Sequence, residues 1–410
     1  MTLRRSAWPS MVIVAMLLSS GPARAGDLAS VIPNLFGKGG ITLAPPTTGF
    51  SHSPHFTVTS DQQLTTLNDA LAGQLADLPL PSPASGFTFK LDPALGTFVR
   101  STEGFGPIYA DRAETIGKGR FSLGFGYSRF DFSSLDGKSL GNGQIKLTFH
   151  HEPVGEENNL PPFPFEKDTI TASIRADITA DVFLFTATYG LLDNLDLSLA
   201  LPVIHIDMDV KGTATINHIG TAPGTVHRFA NGTDTETVHA SGDSTGVGDL
   251  VLRAKYNFYQ EKLISLAAVL DLRLPTGDEN NLMGVGTPRV LPFFVASSAG
   301  WYGVSPHVNV GFDLGDSSSV DNAFLYKVGF DWTPINWFTF AFDVLGRHIL
   351  DNSRVQPDGT PAGSDQLDAS IGFKVNVWSS LLILANVLVP MNNTGLRADA
   401  VPYFGLEWTF

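Results

Sequence analysis

From about residue 120 to the C-terminus, apolar and polar side chains alternate at every second position in one segment after another. In the last segment, VPYFGLEWTF, the residues Phe404, Leu406, Trp408 and Phe410 stand on one phase and Glu407 stands on the other. A period of two is typical of a strand with one apolar face. The same alternation occurs near residues 121–128, 195–201, 250–258, 264–274, 324–332, 338–344 and 367–377.

The connections between these segments alternate in length. Short connections lie at 191–194, 260–262, 301–303, 333–336 and 378–380. Long polar connections lie at 211–245, 276–290, 315–322, 351–366 and 391–398. Outer-membrane barrels have short turns at the periplasmic end and long loops at the outer end. A soluble sandwich shares the period of two but gives no reason for this difference in length.

Tryptophan is confined to one kind of position. After the first 25 residues, every tryptophan lies in, or within about two residues of, a short connection or the C-terminus. These positions indicate one ring at one edge of the sheet, the periplasmic aromatic girdle of a barrel. The predicted girdle consists of Trp301, Trp332, Trp337, Trp378 and Trp408.

Together these features predict an all-β fold, a transmembrane antiparallel up-and-down β-barrel formed by residues 120–410. Backbone polar groups must be paired in hydrocarbon, so the sheet must close and the strand that ends at Phe410 must pair with the first strand. A terminal phenylalanine after alternating apolar residues also resembles the signal that the barrel-assembly machinery reads. We expect about 12 strands. Fourteen is the alternative, because GQIKLTFH (143–150) is either a barrel strand or part of a loop.

The N-terminus predicts export. Arg4 and Arg5 precede the apolar run MVIVAMLLSS, and the sequence ARA at 23–25 has the form of a signal-peptidase site. We therefore interpret residues 1–25 as a cleaved signal peptide. No later segment reaches the 18 or so uninterrupted apolar residues that a transmembrane helix needs.

Residues 26–119 are rich in proline and mostly irregular, with one short helix predicted. Ser60 followed by Gln63 fits a capping box, and Pro79 would end the helix. Its apolar stripe consists of Leu64, Leu67, Leu71, Leu75 and Leu78. The segment is either a small periplasmic appendage or a plug folded into the barrel, and disorder is a third alternative.

Composition and charge restrict the function. Removal of residues 1–25 leaves 23 basic and 40 acidic side chains, which argues against nucleic acid as a partner. The chain has no cysteine, so neither disulfides nor a lipoprotein anchor is expected. With 41 glycines and 29 phenylalanines, it resembles a Gram-negative envelope protein more than a secreted enzyme.

Charged residues on the polar phase of the strands should line the lumen. They either form a constriction that orients a permeant or form ion pairs that fill the interior. The candidates are Arg253, Lys255, Asp271, Arg273, Asp313, Lys327, Asp331, Asp343, Lys374 and Glu407.

The apolar phase changes near Pro202, after which His205 and Asp207 stand where leucines stood before. A one-residue slip inside a strand requires a bulge or kink, and Pro202 would remove a ladder hydrogen bond there. We interpret the site either as a lateral opening through the wall or as an ordinary bulge near the outer rim.

Histidines suggest little chemistry. His218, His227 and His239 share the longest loop but stand far apart in sequence, so no metal site and no cofactor are expected. A barrel enzyme acting on lipids would need a histidine and a serine within hydrogen-bond reach. His307 lies on the inward phase and His348 has no evident partner, so both fit that function poorly.

Four segments resemble a known family. They are YGLLDNLDLSLALP (189–202), GVGDLVLRAKYNF (246–258), LRLPTGDENNLMGVGTP (272–288) and VNVGFDLGD (308–316). They are similar to outer-membrane barrels of the MetA-pathway of phenol degradation family, which is related to the long-chain fatty-acid and toluene transporters. The P-T-G-D element at 275–278 is the most specific of these motifs. The resemblance implies a monomeric barrel that passes hydrophobic or aromatic compounds.

The leading hypothesis is therefore a passive outer-membrane channel for small hydrophobic or aromatic solutes, not an enzyme. Its expected partners are the permeant, membrane lipid with lipopolysaccharide, and the assembly machinery. The alternatives are a barrel enzyme acting on lipids and a structural or adhesive barrel.

Overall fold

The structure is a computed structural model of the 410-residue chain. It describes residues 27–45, 53–75, 78–83, 86–92, 97–100, 104–152, 167–219, 226–261, 263–298, 300, 302–316, 320–350 and 362–410. The predicted signal peptide at 1–25 lies outside the described residues.

The strands are numbered in chain order. The first five are β1 (Phe89–Asp92), β2 (Thr97–Arg100), β3 (Phe121–Leu135), β4 (Lys138–Ser139) and β5 (Ile145–His150). They are followed by β6 (Thr169–Leu192), β7 (Leu195–Asn217), β8 (Thr235–Val247), β9 (Leu250–Gln260), β10 (Ile264–Leu274) and β11 (Arg289–Ser298). The last are β12 (Val304–Gly315), β13 (Ala323–Ile335), β14 (Phe338–Ile349), β15 (Asp365–Trp378), β16 (Leu381–Pro390), β17 (Leu396–Ala398) and β18 (Val401–Thr409).

Twelve of these strands form a closed antiparallel barrel, which confirms the predicted fold and strand number. They are β3, β6, β7, β9–β16 and β18. The sheet closes because β3 pairs with β18 on one side and with β6 on the other. The segment GQIKLTFH supplies β5, which pairs only with the first residues of β6. It is therefore an extension at the long-loop end and not a barrel strand.

The outer face of the barrel carries an apolar band. Leu123 and Phe125 on β3, Leu197 on β7 and Leu406 on β18 are exposed large apolar side chains. The residues between them point inward, and many of these are buried polar groups such as Asp196. An apolar outer surface with a polar interior is the pattern of an outer-membrane barrel. Lipid, not a protein core, therefore covers these strands from outside.

One α-helix lies among the described residues, α1 (Thr57–Leu75), with 3₁₀ turns at Leu28–Ser30 and Glu279–Asn281. The helix is confirmed, but its predicted start is wrong. Ser60 lies inside the helix, where its hydroxyl donates to Phe56 O at 2.6 Å and accepts from Ile41 N at 2.8 Å. Gln63 bonds Thr148 O on β5 instead of capping the helix. In the part of the chain described, no helix has the length and apolar character to cross a membrane.

The main apolar core lies at the long-loop end, inside the extended wall of β5, β6 and β7. Leu64 and Leu71 from α1 and Leu28 from the first 3₁₀ turn are buried in it. They share this cluster with wall residues such as Ile206 and Ile174. The segment preceding the barrel therefore packs against the inner surface of the wall.

Candidate functional site

Every residue from Gly104 to Gly117 is buried, and we call this stretch the lumen segment. It contacts inward-facing side chains of several barrel strands. Asp111 N donates to Asn309 Oδ1 at 2.7 Å, and Asn309 Nδ2 donates back to Asp111 O at 2.9 Å. Ala113 N donates to Ser297 Oγ at 3.1 Å. The lumen segment therefore lies across the interior of the barrel.

Arg112 anchors this segment to β13. Its guanidinium contacts both carboxylate oxygens of Asp331, at 2.8 and 3.3 Å, and donates to Gly104 O at 3.0 Å. Both charged side chains are buried. A Cβ at Gly106, where φ is +74°, would lie 2.9 Å from Arg112 Nε, so glycine allows the chain to curl around the guanidinium. The pair is a bidentate, directional contact between the lumen segment and the barrel wall.

A second ionic contact joins Asp111 to β9 and β10. Arg253 donates to Asp111 at 2.9 Å and to Asp271 at 2.6 Å, so one guanidinium holds two carboxylates. Ser82 Oγ also donates to Asp111, at 2.5 Å. Burial alone would raise the pKa of Asp111, but the nearby cations, Arg253 foremost and then Lys327, hold it below its ordinary value. Asp111 is therefore ionised at neutral pH.

Other wall side chains bind the backbone of the segment. Lys255 Nζ donates to Glu114 O at 2.7 Å, and Asn257 Nδ2 donates to Ala113 O at 2.8 Å. Lys327 Nζ donates to Tyr109 O at 2.7 Å. Buried carbonyl groups need partners, and here lysine and asparagine side chains of the barrel supply them.

The charged residues predicted from the strand phase all have inward positions. Four of them contact the lumen segment: Arg253, Lys255, Lys327 and Asp331. Glu407 accepts Gly86 N at 2.5 Å, Asp343 pairs with His307 at 2.6 Å, and Lys374 is buried beside Glu407. These contacts favour the ion-pair interpretation for most of the set. Orientation of a permeant by these residues stays a prediction.

A cavity of about 490 Å³ lies in the lumen, with α1 and residues 78–83 on one side and the inner wall on the other. Five of the predicted residues line it: Arg253, Asp271, Arg273, Asp313 and Lys327. Apolar side chains, among them Phe130, Phe132, Phe293, Leu325 and Leu345, line other parts. The cavity is therefore amphipathic and large enough for a small ligand.

Several site residues were missed in the sequence. Arg289 and Arg347 both contact Asp313, at 2.7 and 3.0 Å, and Arg397 contacts Asp368 at 2.9 Å. Arg347 and Asp368 were visible only as polar positions inside or beside alternating segments. Asp111 and Arg112 gave no signal beyond their charge, because the lumen segment follows no period.

The predicted bulge at Pro202 is wrong. The pairing of β7 with β6 continues without a shift from Asn217 to Asp196, and the inward and outward positions alternate throughout. What changes is the environment. Ahead of Pro202 the outer face is apolar and faces lipid. Beyond it, Ile206 and Met208 point into the apolar core while His205 and Asp207 lie on the outer side.

Pro202 lies where β7 changes its partner strand. Residues up to Ala200 pair with β9, and residues from Val203 pair with β8. The carbonyl oxygen of Pro202 accepts Gly248 N at 2.9 Å, in the connection between β8 and β9. An N–H at this position would point to the same side, so its absence costs little at the junction of two partners. A lateral opening there stays a prediction, and no bulge supports it.

The P-T-G-D element covers this junction. Thr276 Oγ1 donates to Gly248 O at 2.8 Å and accepts Leu250 N at 3.0 Å. Asp249 is buried and accepts Gly277 N at 3.0 Å and Val285 N at 3.1 Å. The motif therefore fixes the β10–β11 loop against the β8–β9 connection.

Four of the predicted girdle residues are exposed at the end of the barrel that carries the short turns. Trp332 and Trp337 flank the β13–β14 turn, Trp378 ends β15, and Trp408 is next to the end of β18. Trp301 lies outside the described residues. Their role as an aromatic girdle at the membrane interface stays a prediction.

The loop histidines are closer than the sequence suggested. His218 and His227 both contact Asp168, at 3.2 and 3.0 Å, whereas His239 pairs with Asp209 on the outer face at 2.7 Å. His227 also lies beside His55 and His151. Among the described residues, His307 bonds Asp343 and His348 bonds Asp365, and neither bonds a serine. These contacts give no support to the alternative of a barrel enzyme acting on lipids.

Comparison with protein families gives one match. The family model described as "Putative MetA-pathway of phenol degradation" matches residues 164–387, which is more than half of the chain. The chain belongs to this family. The match to the MetA-pathway of phenol degradation family runs from just before β6 into β16, and it includes the P-T-G-D element. The lumen segment and α1 lie outside the matched region.

The chain is also similar, at low sequence identity, to several solved structures. An outer membrane channel from Pseudomonas putida F1 is 13% identical with a TM-score of 0.44, and the match covers 73% of this chain and 99% of that one. A Pseudomonas aeruginosa FadL homologue is 11% identical with a TM-score of 0.36, over 73% and 91%. The Ralstonia pickettii toluene transporter TbuX is 10% identical with a TM-score of 0.37, over 72% and 90%. No curated protein matches the chain.

Proposed function

We propose that the protein is a passive outer-membrane channel for small hydrophobic or aromatic solutes. The cavity of about 490 Å³ inside the lumen is the observation that carries this proposal. Ligand pockets in proteins commonly span about 300–1,000 Å³, and an apolar cavity of about 150 Å³ already binds benzene. The space is therefore sufficient for a substituted aromatic ring.

The lining supports a solute with an apolar body and a polar substituent. Phe130, Phe132 and Leu345 offer apolar surface, while Arg273 and Asp271 offer charged groups in the same cavity. Lys327 Nζ lies 5.7 Å from the ring centroid of Phe293, so the lining itself pairs a cation with an aromatic ring. A phenol-like compound fits such a lining, and the family description names phenol degradation.

Passage requires the lumen segment to move. Helix α1 lines the cavity on the long-loop side, and the lumen segment lies buried across the interior. We therefore propose that residues 26–119 act as a plug and residues 120–410 as the channel wall. The ionic contacts between the lumen segment and the barrel wall can break and re-form one at a time. A small solute can then pass by diffusion without an energy source.

Uptake by whole cells tests this function. Cells that express the protein should take up radiolabelled phenol or toluene faster than cells with an empty vector, and an uncoupler should not change the difference. Leu325→Trp would fill the cavity and lower uptake, whereas Val328→Trp, on the lipid face of the same strand, would not. Equal uptake by expressing cells and vector controls across a panel of aromatic and aliphatic solutes would remove the proposal.

A location in the outer membrane implies partners other than the solute. We propose that the outer apolar band contacts membrane lipid, that the long-loop end contacts lipopolysaccharide, and that the assembly machinery recognises the strand ending at Phe410. A monomer and a cleaved signal peptide at 1–25 are proposed on the same basis. Mass spectrometry of the exported chain and its size in detergent test the last two.

A further inference from the structure

Three histidines from distant parts of the chain meet at the long-loop end. His55 stands just before α1, His151 just after β5, and His227 in the segment before β8. One ring nitrogen of each lies within 4.8 Å of the others, and His55 Nδ1 is 2.5 Å from His151 Nε2. The ring centroids are 4.3, 5.2 and 6.2 Å apart.

The cluster lies largely out of solvent, with His151 half-buried. His55 and His227 are fully buried, and the ring of Phe56 meets those of His151 and His227 edge-on at 5.6 and 5.5 Å. Three protonated imidazoles would repel one another strongly in such a site. Neutral imidazoles whose nitrogens converge are instead typical ligands of a divalent transition metal.

Asp168 orients one of the ligands. Its Oδ2 lies 3.0 Å from His227 Nδ1, so that nitrogen carries the proton and Nε2 is left to face the cluster. Asp168 is itself buried, accepts Ile219 N at 2.8 Å and contacts His218 Nδ1 at 3.2 Å. A carboxylate behind a histidine is the usual outer support of a metal ligand, because it fixes the ring and raises its basicity.

The backbone around the cluster is also tied together. Glu152 N donates to His55 O at 2.9 Å, and Ala44 N donates to Arg228 O at 2.9 Å. Thr59 Oγ1 donates to His150 O at 3.0 Å. Leu43 N donates to Ser53 O at 3.0 Å and so links the Ala44 segment to the residues just before His55. Bonds that do not involve the imidazoles therefore tie the His151 segment to the His55 segment directly and the His227 segment to it through residues 43 and 44. In a Zn²⁺ site with Zn–N bonds of about 2.0–2.1 Å, the nitrogens are about 3.3 Å apart, which small ring rotations can reach from the observed spacing.

We propose that His55, His151 and His227 bind one divalent transition metal ion, Zn²⁺ in the first place, with Asp168 as a positioning residue. Three imidazoles leave one coordination position for water or an outside ligand. The ion joins the start of α1 to β5 and to the segment before β8. The other end of α1 is held by Gln74, whose Oε1 accepts Leu396 N at 2.6 Å. Because α1 lines the lumen cavity, the metal fixes one wall of that cavity.

Titration calorimetry on the full chain, purified without a polyhistidine tag and treated with EDTA, tests the site. We expect one Zn²⁺ per chain. The affinity for Zn²⁺ should fall at least 100-fold in each of the variants His55→Gln, His151→Gln and His227→Gln. It should fall about 10–100-fold in Asp168→Asn. His239→Gln is the matched control, because His239 lies on the outer face and pairs with Asp209. Mg²⁺ and Ca²⁺ should not compete, since they prefer oxygen ligands.

Two measurements separate metal binding from misfolding. X-ray absorption at the zinc edge should show imidazole scattering with Zn–N distances of about 2.0–2.1 Å. Hydrogen exchange should show that Zn²⁺ slows exchange of the amides of α1 in the wild type and in His239→Gln but not in His227→Gln. Absence of Zn²⁺ binding to the folded wild-type barrel, or unchanged binding after all three histidines are replaced, would overturn the proposal. Neither result depends on whether the barrel transports a solute.

Discussion

Phe410 and Phe121 exchange two backbone hydrogen bonds: the amide N–H of each donates to the carbonyl oxygen of the other at 2.8 Å. Their rings also lie 5.5 Å apart on the outer side of the barrel. The last residue of the chain thus pairs with the first residue of the first barrel strand. This contact closes the sheet at the short-turn end, where an open edge would expose polar backbone groups to lipid.

Deletion of Phe410 should therefore weaken closure more than Phe410→Ala, which removes the ring but keeps both backbone bonds. At about 0.5–1.5 kcal/mol for each hydrogen bond, we expect the deletion to lower the free energy of unfolding by about 1–3 kcal/mol relative to Phe410→Ala. Urea unfolding in lipid vesicles, followed by tryptophan fluorescence, measures the difference. Equal stability of the two variants would show that the backbone pair contributes nothing.

The pair of Arg112 and Asp331 should control the position of the lumen segment. Arg112→Ala leaves a buried carboxylate without its main counter-charge, a change that costs about 3–5 kcal/mol in other proteins. We expect the segment to detach before the barrel unfolds, because the wall is held independently by its strand ladder. Single-channel conductance in planar bilayers should rise.

The double variant Arg112→Leu/Asp331→Leu is the control for this prediction. It removes both charges, leaves no carboxylate uncompensated at this site, and should restore part of the low conductance. If Arg112→Ala conducts like the wild type, the lumen segment does not limit passage at this level.

Acid should release the segment only at low pH. The pKa of Asp111 is held below its ordinary value because Arg253 and Lys327 outweigh the effect of burial. A depressed pKa in the folded state stabilises the fold above the ordinary carboxyl pKa of about 3.9, and this stability is lost as the pH falls through the folded value. The protection factors of the amides of residues 104–117, that is, their exchange rates relative to the intrinsic rate at each pH, should therefore be the same at pH 8 and at pH 5. In Asp111→Asn the contribution of this carboxylate is missing at both pH values, so exchange should be faster at both.

Asp249 should hold the β10–β11 loop in place. Its carboxylate accepts Gly277 N and Val285 N, so Asp249→Ala leaves two amides of the loop without this acceptor. We expect residues 275–288 to become sensitive to protease added outside intact cells, at least several-fold over the wild type. Asp207→Ala, on the outer face of β7, is the control and should change nothing. If the loop stays resistant to protease in Asp249→Ala, its position is instead held by Met283 and its apolar neighbours.

The strands could be predicted from sequence because lipid imposes one chemistry on the outer face and the lumen another. The contrast between Leu197 and Ser198, repeated in strand after strand, follows directly from this. The prediction failed at Pro202, beyond which the inner side of β7 carries apolar residues such as Ile206 and the outer side carries polar residues such as Asp207. A change of phase in the sequence can come from a slip of the chain or from a change of surroundings. The sequence alone does not distinguish these two causes.

Only those residues of the candidate site that lie on the barrel strands could be predicted from the sequence. Inward phase was enough to find Arg253, Lys327 and Asp331, since each lies in an alternating strand. Their partners Tyr109, Asp111 and Arg112 lie in a segment without period, and the contacts join residues 142 to 219 positions apart. Contacts over such separations depend on the path of the chain through the lumen. The three-histidine cluster was missed for the same reason, because only His227 lay in the loop that drew attention.

Two arginine substitutions on β7 test where the membrane ends along this strand. Leu199 is exposed on the outer face below Pro202, and Asp207 is exposed on the same face above it. An arginine on the lipid face costs about 2–4 kcal/mol at the bilayer midplane and about 0–1 kcal/mol near the interface. We expect Leu199→Arg to lower the free energy of unfolding in vesicles by at least 1 kcal/mol on this scale.

Asp207→Arg should instead be neutral or slightly stabilising. Asp207 stands opposite Asp243 in the β7–β8 ladder, so arginine would replace a pair of like charges with an ion pair. Because β7 and β6 keep one register through this region, both substitutions leave the strand pairing unchanged, and the difference reports only the surroundings. Equal losses at the two positions would place the membrane boundary beyond Asp207 and would require lipid, not water, to cover His205.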